Sequence, residues 1–186
     1  MAGLFDVQIT YTTRLTAAEQ QLAALPSRLR NLGFVMTQGI APLATAMLER
    51  HWESEGAAFG HPWAPWRPAT LAARLRKGNA GQGLEHDTDS LFHALFDSLA
   101  SGQRIQQANG GYRLDLGSAG IADPIEAMKF RFQQKGTVRM VARQLVPNPL
   151  PRSFRDQVRQ VVHDYIATGR IRGAGGQFTA FSGSTQ

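Results

Sequence analysis

The sequence predicts an α+β fold, because two kinds of hydrophobic periodicity divide the chain between them. Apolar and polar residues alternate over 5–12 and again within 103–117, which is the period-two pattern of strands with one buried face. Between these segments, apolar residues recur every three or four positions, as along one side of a helix. We therefore expect a small antiparallel sheet, made of an N-terminal strand, a central hairpin and a later strand. This sheet should pack against a long kinked helix and a C-terminal helix.

The first helices are defined by a capping residue and by prolines. After the opening strand, Thr16 can cap a helix that should stop near Pro26. Pro26 in turn suits the first turn of a longer amphipathic helix, which we expect to end near Glu55. Gly39 and Pro42 lie inside that helix, and Pro42 has no N–H to donate to the preceding turn. The sequence therefore predicts a kink or a short break there.

The connector over 60–68 contains two tryptophans and three prolines. Each proline fixes its own φ and biases the residue before it toward extended conformations, so this backbone should be stiff and non-helical. Large aromatic side chains beside prolines are usually anchors, which pin a loop either to its own domain or to a partner. We expect Trp63 to point inward and Trp66 to point outward.

The remaining elements follow from the same periodicities, with glycines and prolines at their ends. Asn109 and the two glycines after it supply the turn of the hairpin. Ser153 and Asp156 resemble a capping box at the start of the last helix. Helices are predicted over 68–76, from the cap at 87–88 to Gly102, over 124–134 and over 153–169, and a later strand over 137–146.

The chain is expected to form one domain over 1–169, followed by a Gly/Ser-rich tail over 170–186. At 186 residues, with 42% hydrophobic residues, it is long enough for one proper core. The tail has only Ile171, Phe178 and Phe181 as apolar anchors. We expect it to be disordered alone and to be ordered by a partner.

Composition excludes several classes of protein. The absence of cysteine rules out a disulfide framework, a zinc finger and a thiol nucleophile, and it suits a reducing cytoplasm. Asp6 lies where a signal peptide would need an apolar segment, so we expect no export. The longest uncharged run, over 31–48, is interrupted by glycines, threonines and a proline, so we also expect no membrane segment.

The net charge of +6 is compatible with two interpretations. A basic chain is typical of nucleic-acid binding, yet the basic residues are spread along the sequence and do not form a block. Arginine greatly outnumbers lysine, and arginine is also the cation preferred at protein interfaces. An arginine-rich interaction surface is the favoured interpretation, and direct DNA contact is the alternative.

No residue pattern points to catalysis, a cofactor or a metal. Asp89, His93 and Asp97 share a helical spacing that could bind a metal ion, but acidic residues in a first helical turn commonly act as caps. The histidines at 51, 61 and 163 have no nucleophile-elbow or zinc-protease framework around them, and the glycine groups form no phosphate loop. We therefore expect an interaction protein, not an enzyme, with neither cofactor nor metal.

Four short motifs occur in order between about residues 40 and 168, and this order resembles a known family. They are the loop FGHPWAP at 59–65 with Thr70 and Arg74 after it, Leu84 with the TDSL helix start at 88–91, the segment 128–136 with FQQKG at its end, and PRSF at 151–154. Their order resembles the phage virion-morphogenesis, or tail-completion, proteins of long-tailed phages. Asp89 stands where that family has glycine, and Phe132 stands where it has histidine.

The resemblance implies a structural virion protein of the phage neck or tail, which helps to join the head to the tail. Such a protein would form a ring around the DNA channel, with a hexamer favoured over a dodecamer. It would contact other neck, portal-side and tail-tube or tail-terminator proteins, and non-specific contact with genomic DNA is a further expectation. It would act in the virion, after assembly in the host cytoplasm.

A closed ring needs head-to-tail contacts between two different faces of each subunit. The loop over 60–68, the segment 147–154 and the tail are the candidates for those faces. The interface residues expected on them are Trp63, Pro65, Trp66, Arg152, Phe154, Phe178 and Phe181.

Overall fold

The computed structural model of the protein describes residues 8–10, 26–78, 90–108, 111–138, 140–172 and 178–180, and it has the predicted α+β architecture. The predicted helix that begins at Thr16 and the cap at 87–88 lie outside these residues. The helices are α1 (Pro26–Arg30), α2 (Leu32–Val35), α3 (Ala41–Glu53), α4 (Pro68–Lys77), α5 (Ser90–Ala100), α6 (Pro124–Lys135) and α7 (Arg152–Thr168). The strands are β1 (Gln8–Thr10), β2 (Ile105–Ala108), β3 (Gly111–Asp115), β4 (Arg170–Arg172) and β5 (Phe178–Ala180).

The long helix is broken at the place the sequence predicted. A π-helical turn, Met36–Ile40, separates α2 from α3, and the Ala41 N–H donates to the Met36 carbonyl five residues back. The wider turn lies just ahead of Pro42, which cannot donate to the helix. Gly39 within it faces α7, where a Cβ would lie 2.7 Å from Val161 Cγ1. Glycine at this position therefore lets the two helices approach closely.

The sheet has three antiparallel strands in the order β1-β3-β2. Leu114 in the central strand is opposite Ile9 on one side and Ile105 on the other, and its side chain is fully buried. The N-terminal strand and the central hairpin were both predicted, although the turn residues at 109–110 lie outside the described chain.

The strand predicted over 137–146 is wrong. The structure has an isolated bridge between Thr137 and Met140, and the backbone that follows is irregular. Several of its backbone polar groups pair with side chains instead of with a neighbouring strand. The Gln134 amide both donates to the Val146 carbonyl, at 2.9 Å, and accepts from the Val146 N–H, at 3.0 Å. Gly136 begins the segment with φ +74°, where a Cβ would lie 2.9 Å from the Met140 carbonyl oxygen.

Helix α7 packs its apolar stripe into the core as predicted, with Phe154, Val158, Val161, Val162 and Tyr165 all buried. Its ends are capped in an unexpected way. The capping box expected at its N-terminus is not formed, because Pro151 occupies the N-cap position and Ser153 already lies within the helix. Asp156 pairs with arginines on the same helix. At its C-terminus, Gly169 has φ +72°, and Arg28 Nη1 donates to the carbonyls of Ile166 and Ala167.

The described part of the predicted tail is a short antiparallel pair, β4 with β5. Ile171 in β4 is fully buried in the core and lies against Gly39. The packed part of the chain therefore extends past the boundary at residue 169 that the sequence suggested. The segments 173–177 and 181–186 lie outside the described residues.

A buried arginine joins α5 to the hairpin. Arg104 is fully buried, with Nε donating to Ser98 Oγ at 2.6 Å and Nη1 donating to the carbonyls of Asp115 and Gly117. Burial lowers the Arg104 pKa to about 10, and the charge of Asp115 opposes that shift. The sequence offered no sign of this role. None of the described helices has the length and hydropathy that a membrane crossing requires.

Candidate interaction surface

Two glycines shape the entry to the tryptophan loop. Gly56 and Gly60 both have positive φ, +84° and +78°, and they bracket the short 3-10 turn Ala57–Phe59. A Cβ on Gly56 would lie 2.0 Å from the carbonyl oxygen of His61, so no larger residue can occupy this position without movement of the backbone. The loop then runs extended to α4.

Trp63 points inward, as predicted. Its side chain is only 6% exposed, and its ring lies edge-on to Trp52, with 5.6 Å between the centroids. Its Nε1–H donates to the carbonyl of Gln144 at 3.0 Å, and its backbone N–H donates to the Glu55 carbonyl at 2.7 Å. Trp63 therefore fixes the loop to its own core, which argues against a role for this side chain at a subunit interface.

His51 donates to the same carbonyl. Its Nε2 lies 2.5 Å from the Gln144 oxygen, so the neutral ring carries its proton on Nε2. The side chain is fully buried and stacks on Phe59. Burial lowers the His51 pKa, His61 lowers it further, and the hydrogen bond to Gln144 acts in the opposite direction. His51 therefore helps to dock the loop on the core. The sequence showed that His51 has no catalytic neighbours, but it did not reveal this structural role.

Trp66 lies at the outer end of the loop and is half-buried. Two guanidinium groups stack on its indole, those of Arg74 from α4 and Arg143 from the irregular segment, each 4.5 Å from the ring centroid. Arg143 also donates from Nε to the Ala64 carbonyl and from its backbone N–H to the Gln133 carbonyl. We call Trp66, Arg74 and Arg143 the Trp66 stack. It connects the loop, α4 and the last turn of α6.

The large apolar side chains exposed within the described chain lie on the elements that this stack connects. They form two groups, one on α4 and one on α6 and the segment after it. We call them together the apolar surface: Leu71 and Leu75, and Ile125, Met128, Phe132, Val138 and Val141. On α6, the spacing 125, 128 and 132 puts three of these side chains on one helical face.

The charges around the apolar surface are basic. Arg67, Arg76 and Lys77 are exposed at the ends of α4, and Lys129 and Lys135 are exposed on α6. The one carboxylate of α6, Glu126 in its first turn, is buried and accepts hydrogen bonds from Lys129 and Ser90. A partner for this surface therefore needs apolar side chains with carboxylates around them.

The other predicted interface residues have different environments. Pro65 and Arg152 are exposed, and Arg152 forms a 3.7 Å ion pair with Asp156. Phe154 is 2% exposed and belongs to the core, which argues against a contact role at a partner surface. Phe178 lies in β5, without a described side chain, and Phe181 lies outside the described residues.

The ionisable groups expected to attract a metal are partly visible. His93 and Asp97 lie one turn apart on α5, with 3.8 Å between Nδ1 and Oδ2, and both are well exposed. Asp89 lies outside the described chain. Over the ranges that are described, no three His, Cys, Asp or Glu residues lie together as metal ligands would.

Helix α7 has a basic outer face. Arg152, Arg155, Arg159 and His163 are exposed and follow one another at three- and four-residue spacing, so they lie on one side of the helix. Asp156 lies among them and pairs with Arg159 at 3.0 Å. The face is therefore only partly neutralised.

Comparison of the chain with family models, with curated proteins and with solved structures found no match to any of them.

Proposed function

We propose that the protein is a structural component of a phage neck or tail, which completes the tail or joins it to the head. In this role it would assemble as a ring around the DNA channel, a hexamer in preference to a dodecamer. Its partners would be other neck, portal-side and tail-tube or tail-terminator proteins, and its place of action would be the virion.

The observation that carries this proposal is that motifs far apart in the sequence meet in space. Trp63 bonds to the Gln144 carbonyl, and Arg143 bonds to the Ala64 carbonyl and, through its backbone, to Gln133. The tryptophan loop with the basic helix α4 and the 128–136 segment, which carry two of the four matches to the tail-completion pattern, are therefore joined through Arg143. Their outer side is exposed and apolar, as expected for a subunit contact surface.

Light scattering and negative-stain microscopy of the purified protein test the assembly. We expect closed rings, because a head-to-tail contact closes when the rotation between subunits divides a full turn. Phage particles made without the protein should contain filled heads and separate tails. A protein that stays monomeric at high concentration, together with normal head–tail joining in its absence, would refute the proposal.

The basic face of α7 favours a second candidate, a module that binds DNA without sequence preference. Arginine side chains at 152, 155 and 159 could contact successive phosphates, and such binding weakens steeply as salt rises. A salt titration of duplex binding by the wild type and by Arg155→Gln/Arg159→Gln tests it. Loss of two phosphate contacts should reduce the slope of log affinity against log salt by about 2. Absence of binding at low salt would remove this candidate.

A further inference from the structure

Helix α4 has too little packing within its own chain to account for its stability. It has ten residues, and only Arg74 among them is buried. Isolated helices shorter than about 12–15 residues are marginal in water. Leu71 and Leu75, one turn apart, are 39% and 63% exposed. We therefore expect the outer side of α4 to be covered in the working state of the protein.

The cover must be acidic around an apolar centre, because the rim of the apolar surface is basic. A second copy bound through the same surface would bring Arg76, Lys77 and Lys129 of both copies together, and like charges in contact are unfavourable. Charge therefore disfavours a symmetric pairing of apolar surfaces.

Among the described helices, one exposed face has the required charge. On α3, Pro42, Ala46, Glu49 and Glu53 are exposed and share one side of the helix. We call them the acidic face. The proline and alanine side chains are short, so the apolar side chains of a partner can approach the helix backbone. The two carboxylates lie one helical turn apart. The exposed aspartates of α5 and α7, in contrast, are paired with His93 and with Arg152 and Arg159.

We propose that the apolar surface of one copy of this chain docks on the acidic face of α3 of a second copy. The Leu71, Leu75 and Met128 side chains would lie over Pro42 and Ala46, and the basic rim would pair with Glu49 and Glu53. This inference rests on the ring assembly proposed above and names the two surfaces that meet in it. Because the two surfaces differ, each copy retains one of each, and the contact can repeat from subunit to subunit.

Two variants separate the surfaces. Leu75→Asp/Met128→Asp alters the apolar surface, and Glu49→Lys/Glu53→Lys alters the acidic face. All four side chains are exposed, so both variants should keep the circular dichroism spectrum and melting temperature of the wild type. By sedimentation velocity, each variant alone should be monomeric at concentrations where the wild type assembles. Asp97→Lys, a charge reversal on α5 away from both surfaces, should assemble like the wild type.

Mixing the two variants gives the decisive result. Each retains the surface that the other lacks, so an equimolar mixture should form a one-to-one dimer and nothing larger. Assembly of the wild type that neither variant weakens would overturn this inference and leave the ring proposal intact. Variants that are both monomeric but form no dimer on mixing would overturn the head-to-tail pairing. A wild type that stays monomeric would show that the apolar surface does not bind a second copy. Normal head–tail joining in the absence of the protein would then overturn the proposed function as well.

Discussion

Trp63 and Trp66 are three residues apart in one loop, yet they are held by opposite chemistry. Trp63 lies among aromatic rings and donates to a buried carbonyl, whereas Trp66 is half-exposed beneath two guanidinium groups. The inner tryptophan attaches the loop to the core, and the outer one attaches other elements to the loop. The inner side of the loop is therefore packed against the core, and its outer side supports other elements. The two sides can be tested separately.

The largest effect should come from the inner side. Trp63→Ala removes a buried indole and one donor to the Gln144 carbonyl, and we expect a loss of about 3–5 kcal/mol of unfolding free energy. Trp66→Ala removes stacking on a half-buried ring, for an expected loss of about 1–2 kcal/mol. Urea denaturation measures both values. Equal losses would contradict the division between the two tryptophans.

The next effect tests how the loop enters its docked position. Gly56→Ala places a Cβ against the His61 carbonyl at a positive φ, so we expect a loss of about 2–4 kcal/mol. Gly60→Ala is the matched control, because its φ is also positive but nothing lies within 4 Å of the added Cβ. Its loss should be about 1 kcal/mol. Thermal melts of the two variants would refute the role of the close contact if their stabilities agreed.

A smaller loss of stability is expected on the outer side of the loop, at the Trp66 stack. Arg74→Ala leaves the Trp66 indole with one guanidinium and should cost about 1 kcal/mol overall. The local effect should be larger, because Arg74 is the one buried residue of α4. Hydrogen exchange should become faster at the α4 amides and stay unchanged at those of α7. Uniform acceleration across the chain would show that the arginine supports the whole fold.

The smallest expected effect is on the pH dependence of stability, and it concerns His51 on the inner side of the loop. Because burial holds the folded pKa of His51 below its ordinary value of 6.5, the folded state binds fewer protons than the unfolded state as the pH falls below 6.5. Its contribution to stability is thus complete above pH 6.5, and it is lost as the pH falls toward the folded pKa. Unfolding free energies between pH 7.5 and 5, compared for wild type and His51→Gln, should show a shallower dependence in the variant.

The features predicted correctly from the sequence depend on local chemistry. The kink at Gly39 and Pro42, the central hairpin and the apolar stripe of α7 each follow from a few neighbouring residues. The strand over 137–146 was wrong because alternation shows which side chains can be buried, and not where the backbone finds partners. The partners of this segment are the side chains of Gln134, His51 and Trp63, together with the backbone carbonyl of Gln133.

The surface around the loop was only partly predictable, for the same reason. In the sequence, Arg74 and Arg143 look like solvent-exposed charges, and their burial follows from tertiary contacts that include the stacking on Trp66. Phe154 was expected at an interface because it follows a proline-rich segment, yet its helix turns it into the core. Residue type suggested which side chains could lie at an interface. Which of them are buried and which are exposed depends on the face of the helix that each one occupies.

The pairing of Gln134 with Val146 sets the alignment of the segment before it. A carboxamide has the same donor and acceptor as a peptide group, so one side chain replaces a rung of a β-ladder. That rung fixes the positions of Arg143, whose side chain reaches Trp66, and Gln144, whose carbonyl receives Trp63 and His51. A shift of the segment by one residue would move both Arg143 and Gln144 away from their partners. A single glutamine side chain thus fixes the register of the segment, and this register places the partners of both tryptophans.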